Sequence, residues 1–210
     1  LEYEGELFPT GEDAPFLDYG WFPKVRLNFA QNLLRHSKGE ALVSYHESGK
    51  VRRISYEELR LQVNCLQKEL SSLLGEGDVL AAYMPNIPET VVSMLAASSL
   101  GAAFTSTSCD FGVEGVVDRF GQSKPKVLVA ALEYQYNGKT FDQRPKIEAI
   151  LKAVPSIEKV ISVDFLNTGV RPVGTLYSDL LKKPPTSELT FKQVAFKAPL
   201  YIMYSSGTTG

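Results

Sequence analysis

The chain has 210 residues, of which 44% are hydrophobic and 22% are charged, and its formal net charge is −2. These values are typical of globular proteins and exclude a disordered, collagen-like or coiled-coil chain. The small, evenly interspersed charge argues against nucleic acid as a partner, and no run of about 18 apolar residues predicts a transmembrane helix.

The first part of the chain predicts a wrapping segment. Residues 1–27 are rich in Pro, Gly and aromatic residues without a clear period, and we expect Trp21 and Phe22 to hold them. Asn28 can cap a short helix within residues 27–36. We therefore predict that residues 1–40 form a wrapping segment with one short helix.

A hairpin and a well-marked helix follow. Residues 41–47 and 51–56 predict two strands joined by a turn at Gly49. The order Ser-Tyr-Glu-Glu from Ser55 to Glu58 is that of a capping box, in which a hydroxyl and a carboxylate satisfy each other's backbone donors. Apolar residues then recur every three or four positions, which predicts a helix ended by Gly75.

The remainder alternates between apolar runs and helical segments. Strands are predicted at residues 78–84, 102–108, 126–132, 159–164 and 199–206, and helices at 89–100 (opened by Pro88), 113–120, 146–154 and 178–183. Continuous apolar strands between helices favour parallel pairing under two layers of helices. The predicted fold class is therefore α/β, with mostly parallel sheets and helices on both faces.

The strongest functional signal follows the last predicted strand, in the string Tyr-Ser-Ser-Gly-Thr-Thr-Gly from Tyr204 to Gly210. Small residues let a backbone approach an anion closely, and hydroxyl and N–H groups supply donors to phosphate oxygens. The alternative is an ordinary polar turn. The string is not a Walker A loop, because G-x-x-x-x-G-K-[ST] occurs nowhere in the chain. Its place after a strand favours phosphate binding.

Other candidate motifs are weaker. Ser156 to Lys159 matches S-x-x-K, but its companion motifs are absent. His36 and His46 have no obvious ligand partners, so no metal site is predicted. Cys65 and Cys109 are too few for a disulfide framework and fit a reducing, cytoplasmic compartment.

Three strings resemble core motifs of the acyl-adenylate-forming enzymes, which include acyl-CoA synthetases, luciferases and peptide-synthetase adenylation domains. They are residues 54–59, 100–104 and 201–210, in the family's order and rough spacing. Residues 21–34 and 110–128 are similar to signatures of the acetoacetyl-CoA synthetase family. The resemblance implies that residues 41–210 are the incomplete first part of the large AMP-binding domain. Since the chain also lacks an initiator Met and stops inside a glycine–threonine run, we expect a piece of a longer protein.

The resemblance implies an ATP-dependent ligase that joins acetoacetate to CoA, with ATP, Mg²⁺ and CoA as substrates or cofactors. It assigns the ATP phosphates to Ser205, Ser206, Gly207, Thr208, Thr209 and Gly210. It also assigns the CoA phosphate to Lys139 and Tyr136, although a solvated loop lysine is an equal alternative. Catalytic and metal-binding residues are expected downstream of Gly210, so the piece alone is expected to be inactive and to need the rest of its own chain as a partner. The alternatives are an acetyl- or propionyl-CoA synthetase and a non-catalytic binding module.

Overall fold

A six-stranded parallel sheet lies at the centre of the computed structural model, which describes residues 1–7 and 20–204. The strands are β1 (Arg26–Leu27), β2 (Glu40–Tyr45), β3 (Val51–Ser55), β4 (Val79–Tyr83), β5 (Ala103–Thr107), β6 (Val127–Ala131), β7 (Glu133–Tyr136), β8 (Lys139–Asp142), β9 (Lys159–Val163), β10 (Thr175–Leu176), β11 (Val194–Ala195) and β12 (Tyr201–Ile202). The helices are α1 (Phe29–Leu33), α2 (Tyr56–Leu70), α3 (Pro88–Ser99), α4 (Val113–Ser123), α5 (Arg144–Ala153) and α6 (Tyr177–Leu181).

The sheet has the strand order β10-β9-β6-β4-β5-β12, with every pair parallel. All five residues of β4 and of β6 are buried, because helices cover both faces. Leu80 of β4 packs in one core cluster with α2 and α3, whereas its neighbour Ala81 packs in the other with α4 and α5. The predicted α/β class, with helices on both faces of a parallel sheet, is confirmed.

Three helix starts fall where the sequence predicted them. Asn28 Oδ1 accepts a hydrogen bond from the Gln31 N–H at 3.2 Å, and Ser55 Oγ accepts one from the Glu58 N–H at 3.1 Å. Pro88 occupies the first turn of α3, where its missing N–H costs nothing. Asn28 and Ser55 each accept a hydrogen bond from a backbone N–H that has no partner within the helix, and Pro88 lacks such an N–H. These contacts are local, so the sequence alone predicts the helix starts.

The helix α2 and the last strand have different bounds from those predicted. The helix α2 ends at Leu70 rather than at Gly75, and the chain leaves it through a turn in which the Leu74 N–H still bonds to the Leu70 carbonyl at 3.0 Å. The positive φ, +91°, falls instead on Gly77. The last strand is predicted over residues 199–206, of which 205 and 206 lie outside the described residues; over 199–204, β12 pairs with β5 at Tyr201 and Ile202 only.

Among the pairings that had not been predicted, two lie outside the central sheet. Strands β7 and β8 form a hairpin whose turn is Asn137-Gly138, with φ values of +50° and +72°. Asn-Gly is a strong sequence signal for a tight hairpin turn, so this element was predictable. Strands β1 and β11 pair antiparallel and tie the N-terminal segment to the distant residues 194–195. Along this segment the rings of Phe22 and Phe196 meet edge to face at 5.0 Å.

Within the described ranges, none of the helices combines the length and the apolar character needed to cross a membrane.

Candidate functional site

A cleft of about 490 Å³ opens at the carboxyl ends of β5 and β12. It is lined by Phe104, Thr105, Ser106, Thr107, Ser108, Phe111, Arg119, Tyr201, Ile202, Met203 and Tyr204. In open α/β sheets, ligands bind beyond the carboxyl ends of the strands. The cleft is therefore the candidate site of this chain.

A buried network holds the loop that follows β5. The Tyr83 hydroxyl lies 2.7 Å from the Phe111 carbonyl and 3.1 Å from that of Cys109, and Gln143 Nε2 donates to the Cys109 carbonyl at 2.7 Å. The Lys146 ammonium lies 3.3 Å from the same carbonyl. Burial raises the pKa of the Cys109 thiol to about 12 and raises the pKa of Tyr83 well above its usual range. Both groups therefore stay protonated at neutral pH, and the Tyr83 hydroxyl remains a donor.

Hydroxyl groups line the strand side of the cleft. Thr105 Oγ1 donates to the Ile202 carbonyl at 2.9 Å and so ties β12 to β5. Thr107 Oγ1 is buried without a hydrogen-bond partner in the described part of the chain. Buried polar atoms without a hydrogen-bond partner are uncommon. The Thr107 hydroxyl can therefore form a further hydrogen bond at the wall of the cleft.

Arg119 lines the cleft and was not among the residues predicted from the sequence to bind a ligand. Its guanidinium carbon lies 4.6 Å from the ring centre of Phe111 and 5.5 Å from that of Tyr204. Gly115 lies beside both groups, since a Cβ there would be in van der Waals contact, at 3.4 Å, with the Arg119 and Phe111 side chains. An aromatic residue, a glycine and an arginine spaced four apart were the available signal.

The predicted phosphate loop, from Ser205 to Gly210, lies outside the described residues. Tyr204 directly precedes it and lines the cleft.

The predicted CoA-phosphate residues lie at the β7–β8 turn, where Tyr136 pairs with Lys139. Both side chains are exposed, and neither lines the cleft. The Glu47 carboxylate accepts hydrogen bonds from the N–H groups of Asn137 and Gly138, each at 3.0 Å. The Glu47 carboxylate thus already occupies the backbone donors of this turn. Lys139 supplies the positive charge with which the turn could bind a phosphate.

Arg144, near the same hairpin, is held by Asp142. Its Nε and Nη2 atoms donate to the two carboxylate oxygens at 2.9 and 2.8 Å. The guanidinium beside it lowers the pKa of the Asp142 carboxyl, so the pair stays ionised.

Comparison with known proteins places this geometry in a family. The chain belongs to the AMP-binding enzyme family, whose model matches residues 29–210. It is 41% identical over 199 residues to the acetoacetyl-coenzyme A synthetase of Rhizobium meliloti (strain 1021), and 36% identical over 203 residues to the acetoacetyl-CoA synthetase of Macaca fascicularis. Among solved structures, the chain is similar to an acetoacetyl-CoA synthetase from Streptomyces lividans, with a TM-score of 0.85 and 36% identity.

These similarities cover 92%, 90% and 91% of this chain but only 31%, 30% and 30% of the respective relatives. The chain therefore spans about 30% of the length of the proteins it matches. The resemblance to acyl-adenylate-forming enzymes, and within them to acetoacetyl-CoA synthetases, is confirmed.

Proposed function

We propose that the full-length protein is an ATP-dependent acid–CoA ligase whose acid is acetoacetate. The observation that carries the proposal is the position of Tyr204: it lines the cleft at the strand ends, and the hydroxyl- and glycine-rich string follows it directly. The identity to acetoacetyl-CoA synthetases across the chain supports the choice of acid.

In the proposed reaction, a carboxylate oxygen of the acid attacks the α-phosphorus of ATP and pyrophosphate leaves. The CoA sulfur then attacks the acyl carbon and AMP leaves. We assign the β- and γ-phosphates to the donors of Ser205, Ser206, Gly207, Thr208, Thr209 and Gly210, because closely spaced hydroxyl and N–H groups can stabilise the charge that builds on departing pyrophosphate.

We assign the 3′-phosphate of CoA to Lys139, with Tyr136 beside it. The exposed ammonium at a tight turn is open to a phosphate.

Mg²⁺ accompanies ATP in the proposal. The described residues contain no group of three or more His, Cys, Asp or Glu side chains placed to hold a metal ion. No step is therefore assigned to a metal on this part of the chain.

The 210-residue chain by itself is expected not to adenylate any acid. The string from Ser205 to Gly210 contains no cation, and neutral donors alone give too little stabilisation to a leaving pyrophosphate.

Exchange of labelled pyrophosphate into ATP tests the proposal with the full-length protein and a panel of acetoacetate, acetate and propionate. Acetoacetate should support the fastest exchange. Faster exchange with acetate or propionate would indicate an acetyl- or propionyl-CoA synthetase. ATP binding without exchange would indicate a non-catalytic binding module. No ATP binding by the folded protein would refute all ligase readings.

A further inference from the structure

We propose that Arg119 is a positioning residue for the phosphate-binding string, and that it acts by holding Tyr204. The inference rests on the proposed function, and it adds a role for a side chain in the helix α4. Arg119 contacts Tyr204 in two ways: its guanidinium faces the Tyr204 ring at 5.5 Å, and its backbone carbonyl accepts a hydrogen bond from the Tyr204 hydroxyl at 2.8 Å.

The guanidinium is itself fixed from the other side. The Phe111 ring lies 4.6 Å from its central carbon, and Nη1 donates to the Gly115 carbonyl at 2.8 Å. Since Phe111 belongs to the loop held by Tyr83 and Gln143, Arg119 connects a buried network to Tyr204. Cation–π contacts of this kind are directional and hold the aromatic ring in place.

The segment before the string has few other anchors. Pairing of β12 with β5 ends at Ile202, and Met203 is 84% exposed. Tyr204 is therefore the last described point at which the chain is attached to the domain before Ser205. Small displacements of groups that bind a reacting phosphate are costly, so we expect the loss of this anchor to weaken ATP binding.

Arg119 is also held without a salt bridge in the described part of the chain. Over residues 1–7 and 20–204, no carboxylate forms a salt bridge with its guanidinium, although Asp118 is its neighbour in sequence. A paired arginine would be held by an acidic partner, whereas this one is held by two aromatic rings and a carbonyl. Its role in the fold is therefore tied to Phe111 and Tyr204.

Arg119→Ala removes the guanidinium but leaves the backbone carbonyl, whereas Tyr204→Phe removes only the hydroxyl. In the full-length protein, we expect Arg119→Ala and Tyr204→Ala each to raise the KM for ATP by about tenfold, and the KM values for acetoacetate and CoA by less than about twofold. Tyr204→Phe should raise the KM for ATP by about threefold. Arg171→Ala, which removes an exposed arginine paired with Glu148, is the matched control and should change nothing.

The double variant Arg119→Ala/Tyr204→Ala separates positioning from independent effects. If Arg119 acts through Tyr204, the KM for ATP of the double variant should be about that of the more damaging single variant. The effects of substitutions at two residues in contact are not additive. An additive loss of about a hundredfold, or an equal rise in all three KM values, would overturn the proposal.

Amide hydrogen exchange gives a readout that does not depend on ATP. Arg119→Ala should speed exchange in the segment that begins at Met203 by about tenfold or more and leave β4 and β6 unchanged. Should Arg119→Ala fail to fold, Arg119→Lys keeps a cation that can face both rings and should give about a third of the effect. Unchanged exchange at Met203 and beyond would refute the positioning role of Arg119. Failure of the wild-type protein to bind ATP would count against the proposed function alone.

Discussion

Asn28 donates a hydrogen bond from Nδ2 to the backbone carbonyl of Ser98 at 2.8 Å, across 70 positions of sequence. The same nitrogen donates to the Lys192 carbonyl at 2.8 Å, and Oδ1 caps α1 through the Gln31 N–H. The side chain is fully buried. One amide therefore joins the start of α1, the end of α3 and the segment that leads into β11.

We expect Asn28→Ala to lower the free energy of unfolding by about 3 kcal/mol, because it removes a helix cap and the two hydrogen bonds that Nδ2 donates to the carbonyls of Ser98 and Lys192. Asn28→Asp keeps the cap acceptor but places a carboxylate against two carbonyls, so it should be at least as damaging. Urea unfolding of the protein measures both.

Asn64→Ala is the matched control, because Asn64 makes one exposed hydrogen bond to the Ser187 carbonyl. It should cost less than about 1 kcal/mol. Equal losses for the Asn28 and Asn64 variants would contradict the bridging role.

Gly101 explains the second of the family strings in physical terms. Its φ is +80°, its N–H bonds to the Ser98 carbonyl and the Ala102 N–H bonds to the Ala97 carbonyl, each at 3.0 Å. This is the Schellman arrangement that ends helices with glycine. A Cβ at Gly101 would also lie 2.9 Å from Cγ1 of Val194. The glycine therefore serves both the end of α3 and the close approach of β11.

Gly101→Ala should be destabilising for two separable reasons. The left-handed backbone costs about 1–2 kcal/mol for any residue with a Cβ, and the contact with Val194 should add about 1–3 kcal/mol. Gly77→Ala isolates the first cost, because Gly77 has φ +91° and no atom within 4 Å of the added Cβ. A comparison of the two melting curves gives the difference, and identical losses would exclude the steric contribution.

The limits of prediction from sequence follow from the range of the interactions. Caps at Asn28 and Ser55 act within three residues, so the local sequence specifies them. The pairing of Arg26 with Ala195 depends on how the whole sheet brings distant segments together, and no local pattern encodes it.

The same distinction applies to the candidate site. The string after Tyr204 predicts phosphate binding from composition alone, because glycine allows close approach of the backbone and hydroxyl groups donate hydrogen bonds wherever they stand. The place of Arg119 between two rings depends on Tyr204, which lies 85 positions away. A charged residue on a helix carries no local sign of a distant aromatic partner.

Stability should fall at alkaline pH because of buried acids held in their neutral forms. Burial raises the pKa of the Cys109 thiol from 9.0 to about 12 and raises that of Tyr177 as well. Below pH 9 both the folded and unfolded states keep the thiol proton. Above it the unfolded state loses the proton first, so stability is lost by up to about 1.4 kcal/mol per pH unit until the folded thiol also ionises near pH 12. Cys109→Ser should show a shallower loss between pH 9 and pH 11 in urea titrations, and parallel curves would contradict the assignment.

Lys139 and Glu47 should affect the binding of CoA in opposite directions. Lys139→Ala should raise the KM for CoA by about fivefold in the full-length enzyme, while Glu47→Gln should lower it by about twofold, since exposed charge interactions are worth up to about 1 kcal/mol. Pyrophosphate exchange, which needs no CoA, should be unaffected by either change. Lys182→Ala, at an exposed ion pair with Asp179, is the control. An unchanged KM in both variants would make Lys139 a solvated lysine.

The double substitution Thr208→Ala/Thr209→Ala tests the phosphate-binding string itself. Loss of two hydroxyl donors should raise the KM for ATP or lower kcat by about tenfold or more, which corresponds to about 1.4 kcal/mol for each factor of ten. Thr186→Ala/Ser187→Ala removes two exposed hydroxyls from the loop before β11 and serves as the control. Because the backbone N–H groups remain in the double variant, part of the ATP affinity should persist. Kinetics equal to those of the wild type would mean that the hydroxyls form an ordinary polar turn, and phosphate binding would then have to depend on the backbone alone.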